Sequence, residues 1–167
     1  MDLKELLLKD LSARLFYNPW VQFNLEYGDN GHKEGLYKAH VSSIDPTSGW
    51  LEVDYFETET LEKEWSGTIE NIKPYLRSLY NMTEEERKEL ELLVSIEVDN
   101  AENEDEDASE WCLYDRTGIL NVMGGARFYF DEMIHVYDWL YQHHFDFRGL
   151  ISLGLAIEAP KGMYKEK

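Results

Sequence analysis

Apolar residues open the chain with a helical period. Leu3, Leu7, Leu11 and Leu15 stand four apart, and Leu6, Leu8 and Ala13 widen the stripe. The spacing predicts an amphipathic helix over 2–15, stopped by Asn18-Pro19 because proline disfavours helical backbone before it. From Trp20 the period falls to two. Trp20, Gln22, Asn24 and Glu26 alternate with Val21, Phe23, Leu25 and Tyr27, which is a strand pattern, and Gly28-Asp29-Asn30-Gly31 follows as a turn. Two further strands are predicted over 35–44 and 50–57. Between them, Asp45-Pro46-Thr47-Ser48-Gly49 has the residues of a reverse turn, with proline presetting φ after the aspartate and glycine at the end. In the third strand Leu51, Val53 and Tyr55 share one face while Glu52, Asp54 and Phe56 share the other, so the acidic side is expected in solvent. Residues 68–72 read as a last strand or one helical turn leading into Lys73-Pro74-Tyr75-Leu76-Arg77.

The helical period returns after Thr83. Thr83 and Glu86 form a capping box, and Glu84, Glu85 and Glu86 oppose the positive helix end. This helix should run through Leu90, Leu93 and Val94 and end before Asp99. Residues 99–110 are densely acidic with no base and are expected to form a mobile loop. Residues 111–120 return to apolar character, with a turn at Asp115-Arg116-Thr117-Gly118, and Gly124-Gly125 is a hinge or an entry into the next element. Ile134, Tyr137, Leu140 and Tyr141, beside Met133 and Val136, predict a helix from Phe130 to His143. A second short helix is expected over Leu150 to Ala156, before Pro160 and a polar tail.

These elements predict a single α+β domain over 1–167. Its centre would be a small, bent antiparallel sheet of three to five strands within 20–72, covered by the N-terminal helix and the helix 131–143, since so small a sheet needs a cover. The alternative is an SH3-like barrel over 20–77 with the other helices in a separate lobe. A doubly wound sheet is disfavoured because no strand-helix-strand repeat occurs.

Charge changes the functional picture. The net charge is −18 in 167 residues, concentrated in residues 52–64, with six acids and one lysine, and in 84–110, with thirteen acids and two bases. The only basic cluster is a weak one at Lys161, Lys165 and Lys167, so the Lys/Arg face that phosphates require is missing and direct binding of nucleic acid or an anionic membrane is not expected. One cysteine, Cys112, excludes an internal disulfide framework and a CxxC site. The N-terminal stretch lacks the basic region and unbroken apolar core of a secretory signal, and no apolar run is long enough to span a bilayer. A cytoplasmic location is therefore expected.

The segments Lys9–Leu15 (KDLSARL), Ile69–Arg77 (IENIKPYLR), Met82–Glu86 (MTEEE), Asp138–Ile151 (DWLYQHHFDFRGLI) and Gly154–Tyr164 (GLAIEAPKGMY) resemble a family of uncharacterised proteins from phages and prophages of gut Bacteroides. The resemblance covers most of the chain. It implies a phage-derived accessory protein and no roles for individual side chains. In similar proteins the segment after the helix near residue 90 varies in length and is often acidic, which implies that the acidic loop is peripheral.

Candidate chemistry is sparse. Asp131, His135 and Asp138 have helical spacing and His144 follows, with His143 and Asp146 nearby, so imidazole and carboxylate groups offer a divalent-metal set. There is no HExxH or comparable motif, and capping, solvation and a packed histidine account for the same residues. The pairs Glu52/Asp54 and Asp105/Asp107 lie in acidic runs, where nothing separates the two acidities as general acid-base chemistry requires. Cys112, between Trp111 and Leu113, has no local activating group. Gly118, Gly124 and Gly125 fit no phosphate loop, and no cofactor is expected. Lys73 and Arg77 around Tyr75 suit either a partner or the neighbouring acids; an exposed Tyr75 would point to a partner, a buried one to a structural role. The leading expectation is a non-catalytic protein-binding or regulatory protein whose acidic patches, including Glu52 and Asp54, steer a basic protein partner. The alternatives are an acidic nucleic-acid mimic that blocks a host DNA-binding factor and a metal-assisted enzyme. Nothing in the sequence fixes the oligomeric state.

Overall fold

The three alternating segments join three further strands in one six-stranded sheet. The computed structural model describes residues 2–25, 34–58, 61–93 and 130–164, with 91–93 and 130–133 by their backbone alone. The features predicted at 26–31, 99–110, 111–120 and Gly124-Gly125, together with Asp105, Asp107 and Cys112, lie outside the described residues.

Helix α1 spans Leu3–Arg14. The Asp2 carboxylate caps it by accepting the Lys4 amide at 3.2 Å, which satisfies one of the free donors at the helix start. After a 3-10 turn at Leu15–Tyr17, Asn18 takes a left-handed φ of 53° and the chain turns into the sheet. The buried face of α1 is Leu7, Asp10, Leu11 and Arg14, whereas Leu3 is exposed. The leucine stripe thus gives the helix correctly but not its burial: two of the four inward positions carry charge.

Strands β1 (Trp20–Leu25), β2 (Gly35–Ile44), β3 (Trp50–Thr58) and β4 (Leu61–Thr68) form an antiparallel meander. The β2–β3 turn is fixed by Asp45, whose carboxylate accepts the Thr47 amide at 2.8 Å and the Ser48 hydroxyl at 2.6 Å. Gly49 closes it at φ 74°, a backbone that a Cβ would strain. Strand β4 was not predicted as a strand, because its inward positions are Lys63, Trp65 and Gly67 and show no apolar alternation. A 3-10 turn at Ile69–Asn71 leads to β5 (Ile72–Leu76), which returns to pair antiparallel with β1. Strand β6 (Ile157–Glu158) adds on the far side of β5 in parallel, giving the order β4-β3-β2-β1-β5-β6. The sheet is therefore mixed rather than wholly antiparallel.

One face of the sheet carries the main core: Val21, Phe23, Leu25, Ala39, Val41, Leu51, Val53, Tyr55, Ile72 and Leu76, closed over by Leu7 and Leu11 of α1 and by Leu150 and Ala156. Each Val, Leu, Ile or Phe among them, fully buried, contributes about 1.5–3 kcal/mol of transfer free energy. The helices α2 (Glu84–Leu93) and α3 (Phe130–Gln142) do not share this core. Val136, Trp139 and Leu140 of α3 pack with Leu90 of α2 and with Leu79, Met82 and Phe145 in a second cluster. The cover expected from the helix 131–143 is thus supplied by α1 and by the chain after residue 149. That later stretch is not the helix expected over Leu150–Ala156. It is a run of turns, in which Gly149 and Gly154 each take φ 72° and Asp146 accepts the Leu150 and Ile151 amides, both at 2.8 Å.

Candidate functional site

Because α1 covers one face of the sheet, the alternation of each strand sends the remaining side chains to the opposite, outer face. On β3 these are Trp50, Glu52, Asp54 and Phe56. Two aromatic rings, 49% and 57% exposed, bracket two carboxylates over a span of about 20 Å at strand rise. The register sets Asp54 between His40 of β2 and Glu64 of β4, and Phe56 opposite Glu62. Glu52 accepts the Ser43 hydroxyl at 2.8 Å. Leu36 of β2, 63% exposed, extends the same surface. Toward β1 and β5 the face becomes basic, with Lys38 and Lys73 flanking Gln22 in register. The His40 ring packs on Trp20 and its Nδ1 lies 3.2 Å from the Asn18 carbonyl. Burial lowers its pKa, the Asn18 contact and Asp54 opposing the shift.

The sequence-derived interaction residues divide on this structure. Glu52, Asp54 and Lys73 lie on the outer face. Tyr75 is only 4% exposed: its hydroxyl accepts the Gln22 amide at 3.0 Å, and its carbonyl accepts the Tyr164 hydroxyl at 2.8 Å. Arg77 forms a two-pronged pair with Glu86, one prong being Nη2 to Oε2 at 2.8 Å, and its guanidinium lies over the Phe145 ring. Burial acts to raise the Glu86 pKa, but Arg77 and the Thr83 amide prevail and lower it. Thr83 and Glu86 exchange the expected capping-box bonds. Tyr75 and Arg77 are thus occupied within the fold, the outcome that speaks for a structural role.

The proposed metal set is not gathered. His135 and Asp138 point from the exposed side of α3, and His144 is buried past its end; the Asp131 side chain lies outside the described residues. Among the described residues no three His, Cys, Asp or Glu side chains come together around one position. His144 instead belongs to a polar junction between α1, α3 and the C-terminal turns. It takes φ 57°, stacks on Tyr164 at 3.7 Å, and leaves Nδ1 without a partner among the described residues. Burial, helped by the nearby Arg14 charge, lowers its pKa to about 3. Burial also raises the pKa of Asp146, against the two amides it accepts.

The centre of this junction is the pair Asp10–Arg14, both fully buried. Arg14 Nε donates to Asp10 Oδ2 at 2.7 Å, Nη2 donates to Oδ1 at 3.2 Å, and Nη2 also reaches the Phe145 carbonyl at 2.8 Å. The guanidinium lies against both the Tyr141 and the Phe147 ring, at 5.0 and 5.7 Å from their centres, and the two rings meet each other edge to face. Arg148 Nε stands 3.4 Å from Asp10 Oδ1, close enough for attraction but without hydrogen-bond geometry. Sequence reasoning missed this pair. An aspartate and an arginine four apart, on the same side as Leu7 and Leu11, are the signal that was available.

No protein-family model, curated protein or solved structure matches the chain. No described helix is long and apolar enough to cross a membrane.

Proposed function

We propose that the protein is a non-catalytic, phage-derived accessory protein that binds a basic protein partner in the cytoplasm through the outer face of an SH3-like barrel. The observation that carries the reading is the outer face of β3, which no described element covers and where Trp50 and Phe56 bracket Glu52 and Asp54. Aromatic contact area beside fixed charge suits an interface, the rings giving contact and the acids giving steering and selection. A Lys or Arg of the partner gains both an ion pair and the face of a ring there. The strand order supports the barrel part of the reading: a four-strand meander, a 3-10 turn, and a fifth strand beside the first. Affinity capture from the source cell tests the binding part, using wild type beside Trp50→Ala/Phe56→Ala. A protein enriched by wild type and lost with the double variant supports it. Equal capture by both, or a reproducible turnover with no specific partner, overturns it.

A second reading, an acidic mimic of nucleic acid, is favoured by the ordered carboxylates of Glu52, Asp54, Glu62 and Glu64, about 7 Å apart along each strand. Duplex DNA would then compete with this protein for the partner. Capture of a partner that DNA does not displace removes the mimic and leaves the first reading in place.

A further inference from the structure

We infer that β4 is a docking edge: an extended basic segment of the partner adds beside it as a further strand and sets Lys or Arg side chains, two residues apart, against Glu62 and Glu64. The inference rests on the outer-face reading above and names the chemistry of the partner. Strand β4 ends the sheet, and among the described residues no strand pairs with its outer side. It is held to β3 from Trp50↔Thr68 to Thr58↔Leu61, so its free backbone groups form a firm template. An open edge of this kind invites pairing, and proteins protect it with charge. Here the protecting charges are Glu62 and Glu64, which share the outer face with Ser66.

The register on the inner side makes these acids unusual. Glu64 stands opposite Asp54, and like charges directly opposite are unfavourable. Among the described residues no cation comes within ion-pair distance of Asp54, Glu62 or Glu64. A local rule broken with no compensation among the described residues is the mark expected of a functional surface. An added strand lies about 4.8 Å beyond β4 and presents alternate side chains on the same face. Lys or Arg at those positions turns an acid-acid row into an acid-acid-base ladder. A second copy of β4 offers only Glu62, Glu64, Ser66 and Thr68 on this face, so self-pairing gains no ion pair whereas a basic strand does. Main-chain bonds supply affinity in this mode and the alternate side chains supply selection.

The probe is a nine-residue synthetic peptide with arginine at alternate positions and threonine between, titrated into the full chain by calorimetry and followed by amide exchange. It is compared with the same peptide carrying glutamate for arginine, and with an arginine peptide N-methylated along its pairing edge. The expected result is slowed exchange in β4 with the arginine peptide, no binding of the glutamate peptide, and affinity at least about tenfold weaker after N-methylation, because the main-chain bonds are lost. Glu62→Gln/Glu64→Gln should weaken binding about tenfold, whereas Glu84→Gln/Glu85→Gln on α2, with the same change in net charge, should leave it unaltered. Equal binding of the N-methylated peptide, equal weakening by the α2 variant, or unchanged exchange in β4 overturns the inference. A cellular partner that is lost with Trp50→Ala/Phe56→Ala but gives no protection of β4 overturns the edge alone, and the outer-face reading stands.

Discussion

Replacing Arg14 with methionine keeps most of the stem volume and removes the guanidinium from the polar junction. The consequence follows from what the charge holds. Among the described residues Asp10 keeps only Arg148, at 3.4 Å and poorly aligned, and the Phe145 carbonyl loses the donor at 2.8 Å. Leaving one member of a buried pair without its partner costs about 3–5 kcal/mol. With a urea dependence of about 2 kcal/mol per molar, the unfolding midpoint should fall by about 2 M. Replacing both members, Asp10→Leu/Arg14→Met, should recover most of that loss, since two apolar side chains need no partners. The assay is urea unfolding followed by tryptophan fluorescence and circular dichroism, completed as a double-mutant cycle with Asp10→Leu. Should the methionine variant fail to fold, Arg14→Lys is the graded test: it retains charge but cannot make the two-pronged contact, and about 1–3 kcal/mol should be lost with the hydrogen bonds. A methionine variant within about 1 kcal/mol of wild type, or strictly additive single changes, would refute the view that this pair ties α1 to the C-terminal half.

Three further outcomes follow from the same structure. The His144 pKa is depressed from 6.5 to about 3, so the unfolded chain binds this proton more readily; the contribution is present above 6.5 and lost as pH falls toward 3, by at most about 1.4 kcal/mol per unit. Asp146, raised by burial, acts in the opposite sense: its contribution is fully present below its ordinary value of 3.8 and is lost as pH rises above it. His144→Asn, which tolerates the left-handed backbone, removes the histidine part and should flatten the stability profile between pH 6.5 and 4 in urea titrations. Gly67→Ala would drive a Cβ into the Trp65 ring, displacing that ring from its stack on Phe23; a loss of about 1–3 kcal/mol is expected, read from thermal unfolding, and an unchanged melting temperature would sink the account. Tyr164→Phe keeps the stack on His144 but deprives the Trp20 amide and the Tyr75 carbonyl of their shared hydroxyl; about 1–3 kcal/mol should be lost, with faster exchange of the Trp20 amide.

How much of this was legible in the sequence depended on whether apolar period and burial coincide. They coincide in β1, β2 and β3, where Val21, Phe23, Ala39, Val41, Leu51 and Val53 fall inward at every second position. The turn at Asp45–Gly49 and the capping box at Thr83 were equally readable, because their chemistry is local. Strand β4 was not, since Lys63 and Gly67 occupy its inward positions, and Trp65 must lie over Gly67 to fill the space. The turns after Gly149 were read as a short helix because Leu150, Ile151, Leu153, Leu155 and Ala156 make the stretch mostly apolar, while the signals against it, glycines at positive φ, are ambiguous without a backbone. Of the site, the outward acids Glu52 and Asp54 were visible by alternation. The structural roles of Tyr75 and Arg77 were not, because their partners Gln22, Tyr164 and Glu86 come from β1, the C-terminal tail and α2.

The same division separates stability from recognition. The buried charges Asp10, Arg14, His144 and Asp146 lie where α1 meets α3 and the C-terminal turns. They can be perturbed without altering any residue of β3 or β4. The outer acids stand on strands whose inward neighbours, Val53, Tyr55 and Trp65, are held by the main core. Neutralising Glu62 and Glu64 removes charge from a surface whose backbone is set by that core, and it relieves the Asp54–Glu64 opposition. A gain in stability accompanied by a loss of partner binding is therefore the combined signature of a recognition edge. A merely solubilising edge would show the gain alone.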